Sequence, residues 1–199
     1  DTVRYESEPV SFRTARRHVE DGRYEDAMII LTTLNVDRDN LIRAELKQEL
    51  DFYIAFCLGS QALTGQGDIR EAGSTAITFL QRNTNNYRYL AVCELVGDLL
   101  VASQDYSTAQ TYYAKLIDAP WPDYEMRANN AIGKAQLAQK LTTEARSSFQ
   151  KVIDSTEEDV LAQREKAIAV LGQARCDIAE NNPERAIANT QRVIDVTNT

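Results

Sequence analysis

The chain has 199 residues, 43% apolar and 26% charged, a composition that excludes disorder and is typical of a folded, soluble protein. Its formal net charge of -8 argues against nucleic acid as a partner and against adsorption to an anionic membrane, because both surfaces would repel it. The longest uncharged stretch, residues 52–67, is too short and too polar to span a bilayer, which argues against direct membrane insertion.

Cysteine and histidine usage indicates neither a disulfide framework nor a metal site. Cys57, Cys93 and Cys176 are far apart and surrounded by apolar residues, so we expect small buried side chains. The single histidine, His18, is expected at the surface, and no cofactor is predicted. The chain starts at Asp1 without a hydrophobic leader, from which we expect that a preceding segment has been removed. The localisation stays open between an extracytoplasmic bacterial protein and a cytoplasmic one.

A recurring pattern of alanines divides the chain into five units. Each alanine begins an apolar stripe with helical spacing, and successive intervals are 45, 37, 36 and 41 residues. These anchoring alanines are Ala27, Ala72, Ala109, Ala145 and Ala186. The units run approximately over residues 7–40, 41–84, 86–119, 123–157 and 159–199, within a single domain 1–199.

Helix-start signals precede the anchoring alanines. Asp68, Asp105 and Asn182 are suited to cap helix N-termini, and Thr142 is predicted to do the same in the fourth unit. Pro183 suits the first helical position, where its missing N–H is not needed. A short turn comes before each start, so each unit is predicted to be an antiparallel helical hairpin.

Two of these turns resemble the tetratricopeptide repeat. Residues 22–27, Gly-Arg-Tyr-Glu-Asp-Ala, and residues 104–109 look like that family's entry into its second helix. Gly97 and Gly133 stand twelve residues before Ala109 and Ala145, each after an apolar residue, as in the family's Leu-Gly pair. The resemblance implies an all-α, right-handed α-solenoid of about five antiparallel helix pairs. All intervals exceed the family's usual 34 residues, so the repeats are degenerate.

The first helix of the third unit is predicted to pack on several sides, because residues 90–102 are apolar nearly all round. Its two charged residues, Glu94 and Asp98, are four apart and share one face. In tetratricopeptide-like arrays the first helices line a concave groove, and the register set by Ala109 assigns both residues to it. The same register in the other units adds Arg127, Asn130 and Lys134, then Arg175, and, towards the start, Gln61 and Arg16.

Two interpretations of these groove residues remain open. Glu94 and Asp98 could pair with Arg127 and Lys134 between repeats, as a structural feature. Alternatively, Arg127 and Lys134 bind the carboxylates of a partner while Asn130 bonds its backbone.

Trp121 lies between two prolines in a predicted loop. We expect it to be buried between units, with contact to a partner as the alternative if it is exposed.

The predicted function is a protein-interaction or adaptor module that binds a partner peptide or helix in the groove, without catalysis. One alternative is a self-assembling scaffold that forms homo-oligomers, because the chain stops at Asn198 and Thr199 without an evident polar capping helix. The other is an all-α enzyme with an acidic groove, which would need a deep pocket containing groups with displaced pKa values.

Overall fold

The described part of the chain is all-α, as predicted. The computed structural model describes residues 8–41 and 43–197, with side chains described up to Gln191 except that of Asn40. Within these residues there are ten α-helices, a short 3-10 helix at Arg38–Asn40 and no strand. The helices are α1 (Val10–Glu20), α2 (Tyr24–Val36), α3 (Ala44–Leu63), α4 (Ile69–Arg82), α5 (Tyr89–Ala102), α6 (Tyr106–Ile117), α7 (Pro122–Ala138), α8 (Thr142–Ile153), α9 (Val160–Ala179) and α10 (Pro183–Thr197).

The chain divides into two compact parts, residues 1–103 and 104–199. The first contains α1 to α5 and the second α6 to α10, so the third predicted unit is shared between them. Organisation as a single domain stays a prediction. The predicted uncapped end at Asn198 and Thr199 lies outside the described residues.

Most of the predicted helix starts are confirmed by their capping bonds. Asp68 and Asp105 accept backbone N–H bonds at 2.7 and 3.2 Å, and Asn182 accepts one at 3.3 Å. The prediction for Thr142 was wrong, since α8 begins at Thr142 itself and the preceding Leu141 has no side-chain oxygen to cap it. The hydroxyl lies one position too late to serve as an N-cap.

A left-handed residue ends the first helix of every unit. Two of the five are glycines, as this conformation favours, but three are not. These residues are Gly22, Gly65, Gln104, Lys140 and Asn181, with φ between 57° and 80°. After four of them, the next N–H donates to the carbonyl five residues earlier at 2.8–2.9 Å, which closes the last helical turn.

In the first part, the helices α1, α3 and α5 pack side by side. Helix α2 packs against α1 and α3, while α4 packs against α3 and α5. The small Gly59 of α3 allows close packing, because a Cβ at this position would lie 2.6 Å from Leu95 of α5. Val92, Cys93 and Leu99 of α5 are also buried, which confirms the predicted burial of this apolar helix.

In the second part, α7 and α9 pack side by side and α8 contacts both. The Phe149 ring of α8 is fully buried between two glycines. A Cβ at Gly133 of α7 would lie 2.7 Å from this ring, and one at Gly172 of α9 would lie 2.5 Å from it. The predicted role of Gly133 in close helix packing is therefore confirmed.

All five anchoring alanines are buried, as their place at the start of an apolar stripe predicts. The three cysteines are also buried, again as predicted. Burial raises the pKa of the Cys57 thiol to about 12 and also raises that of Cys176. None of the described helices combines the length and apolar character needed to cross a membrane.

Candidate partner-binding surface

The predicted groove residues of the second part lie on the neighbouring helices α7 and α9. Lys134 and Arg175 occupy matching positions, each eleven residues before the alanine that anchors its unit. Both side chains are exposed, and neither has an ion pair or side-chain hydrogen bond among the described residues. Their positive charges are therefore available to a ligand.

Asn130 was predicted to face a partner, but it is only 2% exposed. Its amide nitrogen donates to the backbone oxygen of Glu165 at 3.0 Å and to the Glu165 carboxylate at 2.8 Å. These bonds connect the two helices, because Asn130 belongs to α7 and Glu165 to α9. Asn130 thus holds the two helices together through its amide nitrogen, while its Oδ1 atom is buried without a hydrogen-bond partner among the described residues.

Trp121 and Arg127 lie on either side of Tyr124 near the start of α7. The prediction that Trp121 is buried was wrong, since the residue is 56% exposed, with its ring centroid 5.9 Å from that of Tyr124. The guanidinium carbon of Arg127 lies 5.0 Å from the centre of the same ring, close enough for a cation–π contact. The exposed alternative for Trp121, contact with a partner, remains a prediction.

In the first part, Arg16 of α1 is half-buried and forms a 2.8 Å ion pair with Glu8. Desolvation by burial lowers the pKa of the Arg16 guanidinium, but the hydrogen bond to Glu8 and nearby negative charge together outweigh it, so that this pKa is raised. Glu94 and Asp98 lie on α5 and are half-buried as well. Their predicted pairing with Arg127 stays a prediction, whereas Lys134, the other predicted partner, has no ion pair among the described residues.

The turn geometry changes the register predicted for Gln61. The left-handed residue lies five residues before the anchoring alanine in four units, but seven before it in the second, where Gly65 precedes Ala72. Counted from the turn, Gln61 corresponds to His18 of the first unit, and Gly59 takes the position that matches Arg16. Two additional turn residues therefore move Gln61 away from the predicted face.

A cation–aromatic cluster of the first part was not predicted from the sequence. The guanidinium carbon of Arg88 lies 4.4 Å from the centre of the Phe52 ring and 4.8 Å from that of Tyr87. Arg88 also donates to the Tyr53 hydroxyl at 3.2 Å and pairs with Glu49 at 3.5 Å. Burial raises the pKa of Tyr53, against the lowering effect of Arg88. The sequence signal that could have indicated this cluster is the pair of tyrosines on either side of Arg88, Tyr87 and Tyr89.

The described residues offer no group of three or more histidine, cysteine or acidic side chains that could hold a metal ion. His18 is half-buried, although it was expected at the surface, and its Nδ1 atom is buried without a hydrogen-bond partner among the described residues. Asp105, whose pKa is lowered by its hydrogen bonds to Thr108, is explained by helix capping.

The fold agrees with those of solved repeat proteins at low sequence identity. A kinesin light chain TPR-like repeat structure from Podosopora anserina is 14% identical, with a TM-score of 0.69 over 94% of this chain and 93% of that one. MamA from Desulfovibrio magneticus is 15% identical, with a TM-score of 0.69 over 95% of this chain and 94% of that one. The chain has a tetratricopeptide-like repeat fold. This confirms the resemblance predicted from the turns around Ala27 and Ala109.

A tetratricopeptide repeat protein from Parabacteroides merdae is 16% identical and has a TM-score of 0.57, over 93% of this chain and 78% of that one. No family model matches this sequence, and neither does any curated protein. At these identities the likeness shows the fold alone.

Proposed function

We propose that the protein is a non-catalytic interaction module that binds an acidic peptide or helix of a partner across α7 and α9. The observation that carries the proposal is the pair of exposed, unpaired cations at matching positions, Lys134 and Arg175. Two neighbouring cations on parallel elements of a repeat suit successive carboxylates of an extended or helical ligand. The net charge of -8 of the whole chain adds to the selectivity, because an acidic ligand is repelled from most other surfaces.

Arg127 extends this surface toward the start of α7, with Trp121 and Tyr124 beside it. Its contact with the Tyr124 ring holds the guanidinium near the helix surface, so less side-chain freedom is lost when a ligand binds. Asn130 contributes by holding α9 against α7 through Glu165. The surface thus combines flexible, charged side chains with a fixed spacing of the helices that carry them.

The proposal is tested with a synthetic helical peptide rich in glutamate, whose binding is followed by fluorescence anisotropy. The double substitution Lys134→Gln with Arg175→Gln is expected to weaken binding by about tenfold or more and to reduce its salt dependence. The matched control is Lys115→Gln with Lys151→Gln, which removes the same charge from exposed positions on α6 and α8. The control is expected to retain wild-type affinity.

If both double variants lose the same affinity for the peptide, net charge alone governs binding, and the proposed surface is rejected. Failure of the wild-type protein to bind the peptide would reject it too. Circular dichroism of all variants checks that the helices stay folded.

A second candidate function is self-assembly, and it is favoured by an apolar groove between α9 and α10. Ile178 and Ile187 line this groove together with Pro183 and Ala186, and both isoleucines are largely exposed. Analytical ultracentrifugation distinguishes the candidates: concentration-dependent growth that is abolished by Ile178→Ser with Ile187→Ser supports assembly. If the protein is a monomer at all concentrations, self-assembly is rejected and the peptide-binding module is the remaining candidate.

A further inference from the structure

Helix α2 exposes an apolar stripe on the side turned away from its neighbours α1 and α3. Ile29 is 69% exposed and Val36 is 82% exposed, with Thr33 between them. Spacings of four and three residues place these side chains on one side of the helix over two turns. The inward side of the same helix is formed by Ala27, Leu31 and Leu34, so the core does not require the outward stripe.

The other second helices show which residues this outward side normally carries. Two positions after the anchoring alanine, where α2 has Ile29, the other four units carry small side chains: Ser74, Thr111, Ser147 and Ala188. Nine positions after it, where α2 has Val36, the next three units carry polar ones: Gln81, Asp118 and Asp154. All seven are exposed, so these are solvent-facing positions in every unit compared. A large apolar residue at both positions distinguishes α2 from these helices.

The stripe borders an open, mainly apolar depression of about 540 Å³. Its walls come from α2 and the residue that follows it: Met28, Ile29, Thr32, Thr33, Val36 and Asp37. The two threonines between Ile29 and Val36 are short, so a neighbouring helix can approach the backbone of α2 between the two larger side chains. This shape suits a helix that lies along α2 with its own apolar stripe facing inward.

Charge at the two ends of the stripe indicates which kind of helix fits. Glu25 lies one turn before Ile29, and Asp37 directly follows Val36. Both carboxylates are exposed and have no ion pair or side-chain hydrogen bond among the described residues. The nearby Arg23 is already paired with Asp21 at 3.0 Å. A ligand with basic residues at both ends of its stripe is therefore complementary, whereas a second copy of this face would bring like charges together.

We propose that the outward face of α2 docks an amphipathic helix of a partner protein, with lysine or arginine at both ends of its apolar stripe. This site lies on a different helix from the proposed acidic-peptide surface of α7 and α9, and it prefers a ligand of opposite charge. The protein would then bind two chemically different segments, which is what an adaptor requires.

The test uses a synthetic helical peptide of about 14 residues, with leucines at i, i+4 and i+7 and lysines at both ends. Its binding to the protein is measured by fluorescence anisotropy. The double substitution Ile29→Ser with Val36→Gln installs the residues that the second unit carries at these positions. It is expected to weaken binding by tenfold or more without loss of helicity. Glu25→Gln with Asp37→Asn is expected to weaken binding and to make it less sensitive to salt.

The matched control is Val160→Ser with Leu161→Ser, which removes two other exposed apolar side chains at the start of α9 and is expected to leave the affinity unchanged. Equal weakening in this control, or no binding of the probe by the wild-type protein at about 100 μM, would overturn the proposal. Dimerisation that Ile29→Ser with Val36→Gln abolishes would assign the face to a second copy and overturn it. Tighter probe binding after deletion of residues 1–7 would assign it to that segment instead. The Lys134→Gln with Arg175→Gln variant should bind the basic probe normally, so the two proposals fail separately.

Discussion

The buried Asp177 carboxylate accepts a hydrogen bond from Nη2 of Arg146 at 2.8 Å. Its other oxygen accepts one from the Asn189 amide at 2.7 Å, and Nη2 of Arg146 also lies 2.8 Å from the Glu180 carboxylate. These bonds join α8, α9 and α10. A carboxylate with no solvent exposure is tolerated because both of its oxygens have partners and an opposite charge lies beside it.

Removing Arg146 should therefore destabilise the second part strongly. Arg146→Met leaves the buried Asp177 charge without its main partner, and we expect the free energy of unfolding to fall by about 3 kcal/mol. Urea denaturation followed by circular dichroism measures the change. The control is Arg185→Ala, since Arg185 lies 3.5 Å from the same carboxylate but is more than half exposed, and its loss should amount to less than about 1 kcal/mol. Similar losses for both would contradict the assigned role of Arg146.

Substituting the glycines beside Phe149 should disturb the core. In Gly172→Ala the added methyl would lie 2.5 Å from the Phe149 ring, and we expect the free energy of unfolding to fall by about 1–3 kcal/mol. Thermal and urea unfolding measure it. Gly73→Ala is the matched control, because nothing lies within 4 Å of its added methyl. There we expect a gain of about 0.5–1 kcal/mol from helix propensity. A gain at both positions would show that the ring can move aside.

The left-handed Lys140 should be improved by glycine. With φ at 64°, its Cβ is strained, so Lys140→Gly should raise the free energy of unfolding by about 1 kcal/mol. Lys134→Gly is expected to lower the free energy of unfolding by about 1 kcal/mol, because Lys134 lies inside α7, where glycine disfavours the helix. Urea denaturation of the two variants tests the pair, and destabilisation by both would contradict the assigned turn conformation.

Cys57 should make stability depend on pH in the alkaline range. Burial raises the pKa of its thiol from 9.0 to about 12, so the folded state keeps the proton that the unfolded state loses. This contribution is fully present below pH 9 and is lost as pH rises toward about 12. Relative to Cys57→Ala, the wild-type free energy of unfolding should fall over that range. A constant difference between the two proteins would contradict the prediction.

Trp121 should report its exposure by fluorescence. As the sole tryptophan, with 56% of its surface exposed, it should emit near the wavelength of indole in water and be quenched readily by acrylamide. Unfolding in urea should therefore shift the emission little. A blue-shifted emission that resists acrylamide would show that the ring is buried.

The sequence was sufficient to predict the features that depend on neighbouring residues along the chain. Helix spacing, the caps at Asp68 and Asp105, and the burial of the anchoring alanines follow from local patterns and are confirmed. The burial of Asn130 could not be predicted in this way, because its partner Glu165 is 35 residues away. The error for Gln61 has a different cause. The anchoring alanines lie in the second helix of each unit, and in the second unit two additional turn residues change the distance along the chain from Ala72 back to the first helix.

Exposure of Trp121 was missed for a related reason. An aromatic residue between two prolines has no helical periodicity from which its direction could be inferred. The sequence pattern alone also does not separate the exposed Ile29 and Val36 from the inward side of α2, because apolar residues are almost continuous along this helix. The outward side of α2 can be told from its inward side only in the structure, where the positions that match Ile29 and Val36 in the other units are exposed to solvent.

The packing of Phe149 between Gly133 and Gly172 links the interior to the proposed binding surface. The ring and the two glycines set how far apart α7 and α9 lie, and these helices carry Lys134 and Arg175. A larger residue at either glycine would push the helices apart and lengthen the distance between the two cations. On the proposed binding surface, the spacing of carboxylates that a partner must present would thus be set by a buried aromatic ring, and mutations that no ligand touches would change ligand preference.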